Sequence, residues 1–288
     1  MCLAKTVCEC KTMSKPKKHH FLPRFYINYW SNSKGLVTIF LKDGTSRVIE
    51  VSSKDICFEK NLYTRREGRV DVETIFFGEI DGNVSQALRT LNESGIGKLT
   101  PNEKGYFSRF ISTLHSRSPE FIQEIRNFNE QGRLRGEKWA EKVFSETGED
   151  IRGKFKKEIY CDSPAVMAYH SGGKGYETIL NAHWEIIENS SNKDFITCDF
   201  PLQIIALHGS NTYGYELPRE FIMTLPLSPL KLLLITSYKN VVKPFVVNLK
   251  GFVVRRNIET IDSANDLVIA KNREAEKFIK KNIRLHDN

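Results

Sequence analysis

A hairpin signal near the amino end constrains the fold of this chain more than any other pattern. Residues 36–41 and 47–51 are two runs typical of β-strands, and the pair Asp43-Gly44 lies between them. Asp-Gly favours the tight turns that join antiparallel strands, because glycine accepts positive φ angles without a steric penalty. We therefore predict that the chain begins with β structure, after a polar stretch at residues 1–16 that we expect to be a mobile arm.

The middle third of the sequence changes to a helical pattern. Apolar residues recur at steps of three and four over residues 71–91, which predicts a helix. Residues 100–103 (Thr-Pro-Asn-Glu) then supply an N-cap hydroxyl, a proline at the first helical position and a glutamate three residues after the cap. Residues 118–120 (Ser-Pro-Glu) repeat this start signal. We predict a helical segment over about residues 70–150.

The last part of the chain is predicted to return to strands. Short apolar runs bounded by Pro, Gly, Ser and Asn are typical of strands of one sheet, and they occupy residues 184–188, 195–199, 203–207, 221–226, 232–236 and 244–247. Residues 258–284 are predicted to be one or two helices. The expected fold class is α+β: residues 17–288 form a single domain, in which one sheet is built from N-terminal and C-terminal segments and carries the helical middle segment.

The charge of the chain favours an anionic partner. Lys and Arg number 43 against 35 Asp and Glu, so the formal net charge is +8. Such an excess suits nucleic acid, although it also serves solubility alone. The six cysteines are scattered apart from Cys8-Glu9-Cys10, which predicts reduced thiols and a cytoplasmic location. The sequence has neither a secretory signal pattern nor an apolar run of about 20 residues, so we expect no membrane partner.

Several motifs resemble those of a bacterial family, domain-of-unknown-function family 4238. The opening element, Lys-His-His-Phe-Leu-Pro-Arg at residues 18–24, resembles its Lys/Gln-His-aromatic-x-Pro-(Gln/Arg) start. Further similar elements lie at residues 110–119 (a helix ending here in Arg-Ser-Pro), 195–201 (Phe-Ile-Thr-Cys-Asp-Phe-Pro), 225–229 (Leu-Pro-Leu-Ser-Pro) and in the pair Asn257 and Ala264. Cys198 and Ser118 stand where the family usually has Ser and Thr. Some members resemble stand-alone antiphage defence genes, which implies a defence role without a settled chemistry.

Three residues are our candidates for catalysis. His20 has the side chain that metal-independent ribonucleases use as a general base toward a 2′-hydroxyl, although it could equally be an ordered structural residue. Asp199 ends an apolar strand, where a carboxylate either orients an imidazole or forms an Asx turn before Pro201. Arg24 offers a guanidinium fork to phosphate oxygens. We expect His20 and Asp199 to meet, on the hypothesis that both lie on extended segments of a shared sheet.

Three further residues are candidates for substrate binding. Arg117 is either a second phosphate ligand or an ion-pair partner near a helix end. Tyr26 either stacks on a base or belongs to the core. His19 is the third candidate, because its imidazole could take the same kind of role as that of His20.

The functional hypothesis that these residues support is an antiphage effector acting on nucleic acid, with RNA as the leading substrate, without a metal or cofactor. The alternatives are a non-catalytic module that recognises a phage component, and a metal-assisted hydrolase that uses His19, His20 and Asp199. The remaining histidines do not have the ligand spacing of a zinc site.

Overall fold

The computed structural model describes residues 18–45, 47–60, 62, 78–151, 175–207, 217–238 and 248–283. Strands and helices both contribute to the core of these ranges, so the predicted α+β class is confirmed. The strands are β1 (Lys18–His20), β2 (Leu36–Leu41), β3 (Val48–Ser52), β4 (Phe58–Lys60), β5 (His183–Glu188), β6 (Thr197–Cys198), β7 (Gln203–Ala206), β8 (Phe221–Ser228), β9 (Lys231–Thr236) and β10 (Leu267–Ala270). The helices are α1 (Arg24–Ile27), α2 (Gly78–Glu93), α3 (Pro101–Leu114), α4 (Pro119–Thr147), α5 (Tyr176–Asn181), α6 (Leu249–Ser263) and α7 (Glu276–Asn282).

One antiparallel sheet joins the two ends of the chain, in the order β3-β2-β10-β6. The predicted hairpin forms its edge, and Gly44 in the turn has a φ of +79°, as that turn requires. Strand β10 lies at the centre, where Val268 pairs with Phe40 on one side and with Cys198 on the other. This is the predicted sheet of N-terminal and C-terminal segments, although β5, β7, β8 and β9 form a second sheet of their own.

The second sheet has the order β5-β9-β8-β7 and is covered on both faces. Because side chains alternate along a strand, Met223 and Leu225 face the main core with helices α2 and α3, whereas Ile222 faces a smaller core with Val253 of α6. The pairing of β8 with β9 shifts between Pro226 and Ser228, where the proline has no N–H to donate. This sheet is therefore a central layer between helices.

The helix starts of the middle segment agree with the sequence signals. Thr100 caps α3 with both halves of a capping box, since its side chain accepts from the backbone N–H of Glu103 and the Glu103 side chain accepts from the backbone N–H of Thr100. Ser118 caps α4 by accepting from the N–H of Phe121 at 3.2 Å. Helix α4 ends at Gly148, which has a left-handed φ of +74°.

Two local predictions are wrong. The opening segment is extended only over β1, which pairs with β4 in a third, two-stranded sheet. Helix α1 then begins after Pro23, which occupies its N-cap position, where the missing N–H costs no hydrogen bond of the helix. Residues 258–284 contain strand β10 between two helices, because all four residues of Leu267–Ala270 pair with β2 and two of them also pair with β6. The predicted arm at 1–16 and the predicted strand at 244–247 lie outside the described residues.

None of the helices in the described ranges is long and apolar enough to cross a membrane.

Candidate functional site

The two ring nitrogens of His20 lie in different environments. It ends strand β1 opposite Phe58, and its ring centre lies 5.6 Å from the ring centre of Phe58. The backbone of Lys54 forms a hydrogen bond with the imidazole. The second nitrogen, Nε2, is buried and has no hydrogen-bond partner among the described residues. If Nδ1–H donates to the carbonyl of Lys54, the lone pair of the neutral ring lies on Nε2, where it is ready to accept a proton.

The surroundings of His20 are positively charged. Burial lowers the pKa of His20 below its usual 6.5, and repulsion by the charges of Arg24, Lys18 and Arg117 lowers it further, against the opposing effect of the Lys54 hydrogen bond. The imidazole is therefore mainly neutral at pH 7. An anion at this surface would be attracted by the same charges that keep the base unprotonated.

Arg24 is a cation beside His20 that is available to a ligand. It is exposed at the first turn of α1 and forms neither an ion pair nor a hydrogen bond with any other side chain that the structure describes. Lys18 is partly engaged, because its Nζ lies 3.1 Å from Asp55 and 4.3 Å from the centre of the Phe58 ring. The sequence-based expectation of a phosphate ligand at Arg24 thus remains a prediction.

His19 does not share the environment of His20. Neighbouring residues of a strand point to opposite faces, and His19 is 4% exposed opposite Glu59. His19 and His20 therefore cannot bind the same substrate group or the same metal ion. The expected binding role of His19 is not supported.

Arg117 belongs to the interior. Its guanidinium is 0% exposed and binds both carboxylate oxygens of Asp81 on α2, at 2.7 and 2.9 Å. Of the two roles considered from the sequence, the ion pair is the one that the structure contains, and a direct phosphate contact would require the core to open. Asp81 as the partner carried no sequence signal, because it lies 36 residues away on another helix.

Asp199 and His20 are not joined by a hydrogen bond or an ion pair. It follows β6 in the sheet that joins the chain ends, whereas His20 lies in the two-stranded sheet, so the expected shared sheet is wrong. Its carboxylate accepts three backbone N–H groups, from Asn265 at 2.9 Å, Asp266 at 2.6 Å and Leu267 at 3.2 Å. The residue therefore holds the turn that leads into β10, which is a structural role closely related to the Asx turn considered above.

We expect Asp199→Ala to lower the unfolding free energy by about 2–4 kcal/mol, because three backbone donors lose their acceptor in a partly buried turn. Burial raises the pKa of Asp199 to about 6, above its usual 3.8, and the three N–H donors only partly oppose this shift. The folded state then binds the proton more tightly than the unfolded state between these two values. In urea unfolding, the loss of unfolding free energy caused by Asp199→Ala should therefore be about 1 kcal/mol larger at pH 5 than at pH 7.5.

The matched control for that experiment is Asp266→Ala, which removes a neighbouring exposed carboxylate while keeping the backbone N–H that binds Asp199. Its unfolding free energy should stay within about 0.5 kcal/mol of the parent chain. Equal effects of the two substitutions would contradict the structural role of Asp199.

Tyr26 is also a core residue, which is the second of the two roles considered from the sequence. It is 0% exposed, and its hydroxyl donates to the carbonyl of Pro226 at 2.8 Å and lies 2.9 Å from Oγ1 of Thr197. Burial raises the pKa of this phenol well above 10. A base could stack on Tyr26 only if this hydrogen-bonded core opened.

Buried hydrogen bonds join the motif segments that are far apart in sequence. Besides Tyr26, Nε1 of Trp30 donates to the carbonyl of Phe195 at 2.9 Å. The side chain of Asn257 accepts from the N–H of Ile196 at 3.2 Å and donates to the carbonyl of Asp194 at 2.8 Å. These hydrogen bonds fasten the segment that contains strand β6 to Tyr26 of helix α1, to Trp30 just after it and to Asn257 of helix α6. We call this set (Tyr26, Trp30, Thr197, Asp199 and Asn257) the buried clamp.

The described residues contain no group of three or more His, Cys, Asp or Glu side chains that could hold a metal ion. Cys57 and Cys198 are both buried, and burial is the first cause that raises the pKa of each thiol. His19, His20 and Asp199, the set considered for a metal-assisted hydrolase, do not converge. They lie on opposite faces of one strand and in a separate sheet.

Comparison with known proteins places the chain in one family. The model of a family described as "Protein of unknown function (DUF4238)" matches residues 18–274 of the 288. No curated protein and no solved structure gives a match.

Proposed function

The chain belongs to the DUF4238 family of proteins of unknown function, and we propose that it acts on RNA as a metal-independent ribonuclease in defence against phage. The observation that carries this proposal is the state of His20. Its Nε2 is buried without a partner among the described residues, and burial together with nearby positive charges lowers its pKa below 6.5. A buried acceptor of this kind is satisfied when a substrate hydroxyl binds to it.

The proposed chemistry uses His20 as general base. Nε2 takes the proton of a ribose 2′-hydroxyl, the 2′-oxygen attacks the adjacent phosphorus, and the bond between phosphorus and the 5′-oxygen breaks. The 5′-oxygen takes up a proton from water. The products are therefore a 2′,3′-cyclic phosphate and a 5′-hydroxyl end.

Arg24 has the second role in this proposal. An arginine can donate two parallel hydrogen bonds to phosphate oxygens, and such charge-assisted bonds are the stronger ones. Arg24 is exposed and pairs with no described residue, so its guanidinium is available to the scissile phosphate. The net charge of +8 supports attraction of the RNA backbone over a longer range.

The test is incubation of the purified chain with single-stranded RNA in the presence of EDTA. Cleavage that leaves cyclic phosphate ends, detected by their resistance to a ligase that requires a 3′-hydroxyl, is the expected result. RNA that stays intact over a range of pH from 5 to 9 would sink the enzymatic proposal. A plaque assay with the same chain expressed in bacteria tests the defence setting separately.

A second candidate is a binding module without catalysis, and one observation favours it. Asp199 is committed to three backbone N–H groups, so the described site provides only one candidate for acid or base chemistry. This candidate predicts that RNA or another phage component is bound and recovered uncleaved. It also predicts that His20→Ala and Asp199→Ala lose protection in the plaque assay only when thermal melting shows that they unfold.

A further inference from the structure

A groove separate from the residues discussed so far lies between helix α6 and the second sheet. It has a volume of about 510 Å³, within the range of roughly 300–1,000 Å³ that is usual for small-molecule sites. Its floor is apolar and comes from four strands, with Ile187 of β5, Ile205 of β7, Ile222 of β8 and Leu234 of β9. Its wall is helix α6 with its N-cap residue Asn248, and the helix contributes Phe252, Glu259 and two arginines.

The first of these arginines, Arg256, is buried. It is 8% exposed, its guanidinium is ion-paired with Glu259, and it lies over the Phe252 ring with 5.8 Å to the ring centre. One terminal nitrogen is 3.5 Å from Oγ1 of Thr224, which is a weak contact. The Nε donor has no hydrogen-bond partner among the described residues, although it is buried at a wall of the groove. A buried guanidinium donor without an acceptor is a costly arrangement that an anion in the groove would relieve.

The second arginine, Arg255, adds an unneutralised charge. It is exposed at the groove and forms no ion pair or hydrogen bond with a described residue. Its charge repels that of Arg256 and helps to lower the pKa of the latter, after burial as the main cause. Glu259 is the acidic residue among the described residues of the lining, so the lining carries two positive charges against one negative charge.

Helix α6 strengthens the preference for an anion. Asn248 caps it by accepting the N–H of Gly251 at 3.0 Å, and the positive end of the helix dipole therefore lies at the groove. Apolar side chains cover the opposite floor. The groove thus combines an anion-binding wall with room for an apolar body.

We propose that this groove binds a small phosphomonoester with a ring or apolar body, of the size of a mononucleotide. The phosphate would lie against Arg255 and the free Nε donor of Arg256, since guanidinium groups match phosphate oxygens in geometry and charge. The apolar body would lie on Ile187, Ile222 and Leu234. This inference does not rest on RNA cleavage at His20, and either proposal can fail while the other holds.

The test is calorimetric titration of the full chain with adenosine 5′-monophosphate, adenosine and inorganic phosphate. The monophosphate should bind saturably and more tightly than the other two, because only it has both the anion and the body. Arg255→Gln should weaken binding of the monophosphate by about 10-fold or more, as expected for a charged hydrogen bond, and leave adenosine unchanged. Arg89→Gln is the matched control, since Arg89 is also an exposed helical arginine and binds no described partner.

Two further variants separate this groove from the proposed catalytic site. His20→Gln and Arg24→Gln should leave the affinity for the monophosphate within about twofold, because neither residue lines the groove. The inference is overturned if the monophosphate shows no saturable binding, if adenosine binds equally well, or if affinity depends on Arg24 and not on Arg255.

Discussion

Replacing His20 with glutamine should reduce RNA cleavage by about 100- to 10,000-fold, which is the contribution of a general base to a proton transfer. Glutamine keeps a polar side chain of similar reach, so it retains a hydrogen bond toward Lys54 while it cannot accept the hydroxyl proton at neutral pH. The unfolding free energy should change by less than about 1 kcal/mol, since His20 is only partly buried. Initial rates on single-stranded RNA, measured beside urea unfolding, separate the two effects.

His115→Gln is the control for this experiment. His115 also has a pKa lowered mainly by burial, and its ring contacts Phe121 and Phe200 instead of a cationic surface. Its substitution should leave the cleavage rate within about twofold, because nothing places this ring at a phosphate. If His115→Gln and His20→Gln were equally active, or if the His20 variant lost activity only by unfolding, His20 would be a structural residue.

Replacing Trp30 with alanine should lower the unfolding free energy by about 3–5 kcal/mol. The Trp30 side chain is 0% exposed and lies 5.2 Å from the ring of Tyr26, so truncation leaves a large cavity within the buried clamp. It also leaves the carbonyl of Phe195 without its donor. Urea or thermal unfolding followed by tryptophan-independent circular dichroism measures the loss.

Trp30→Phe and Phe128→Ala make the Trp30 result specific. Phenylalanine keeps most of the packing and removes only the Nε1 donor, so about 1–2 kcal/mol should be lost. Phe128 is 66% exposed on α4, and its truncation should change stability by less than about 0.5 kcal/mol. If Trp30→Ala lowered the unfolding free energy no more than Phe128→Ala does, the buried clamp would not stabilise the fold.

Elements with strong local signals are the ones that could be predicted from sequence. The Asp43-Gly44 turn and the caps at Thr100 and Ser118 depend on residues only a few positions away, so they can be predicted without the rest of the chain. Of the apolar runs predicted as strands of one sheet, those that form β5, β7, β8 and β9 share one, whereas the run at 195–199 contributes β6 to the other sheet.

Elements decided by distant partners were not predictable in this way. Strand β10 is only four residues long, and its extended form depends on β2 and β6, which lie far from it in sequence. Helix α1 is a single turn, and its place is set by the contacts of Tyr26 with Thr197 and Pro226. Local propensity is a weak guide for such short elements, since tertiary contacts override it.

The candidate site shows the same division. His20 and Arg24 could be chosen from their residue types and their place beside Pro23, and the structure keeps both near one surface. The pairing of Asp199 was misjudged, because a carboxylate followed by Phe-Pro has the same local sequence whether it binds an imidazole or three backbone N–H groups. The carbonyl of Lys54, which orients His20, belongs to the backbone and has no residue-type signature.

The buried clamp holds segments from both ends of the chain together, whereas the imidazole of His20 remains able to accept a proton. Nitrogen-detected NMR titration of the histidine side chains tests this claim most directly, because it reports both the pKa and the tautomer of each ring. His20 should titrate below pH 6.5 and carry its proton on Nδ1 when neutral, and Arg24→Gln should raise its pKa by removing a nearby positive charge. A pKa of His20 above 6.5, or a neutral ring with its proton on Nε2, would contradict the account.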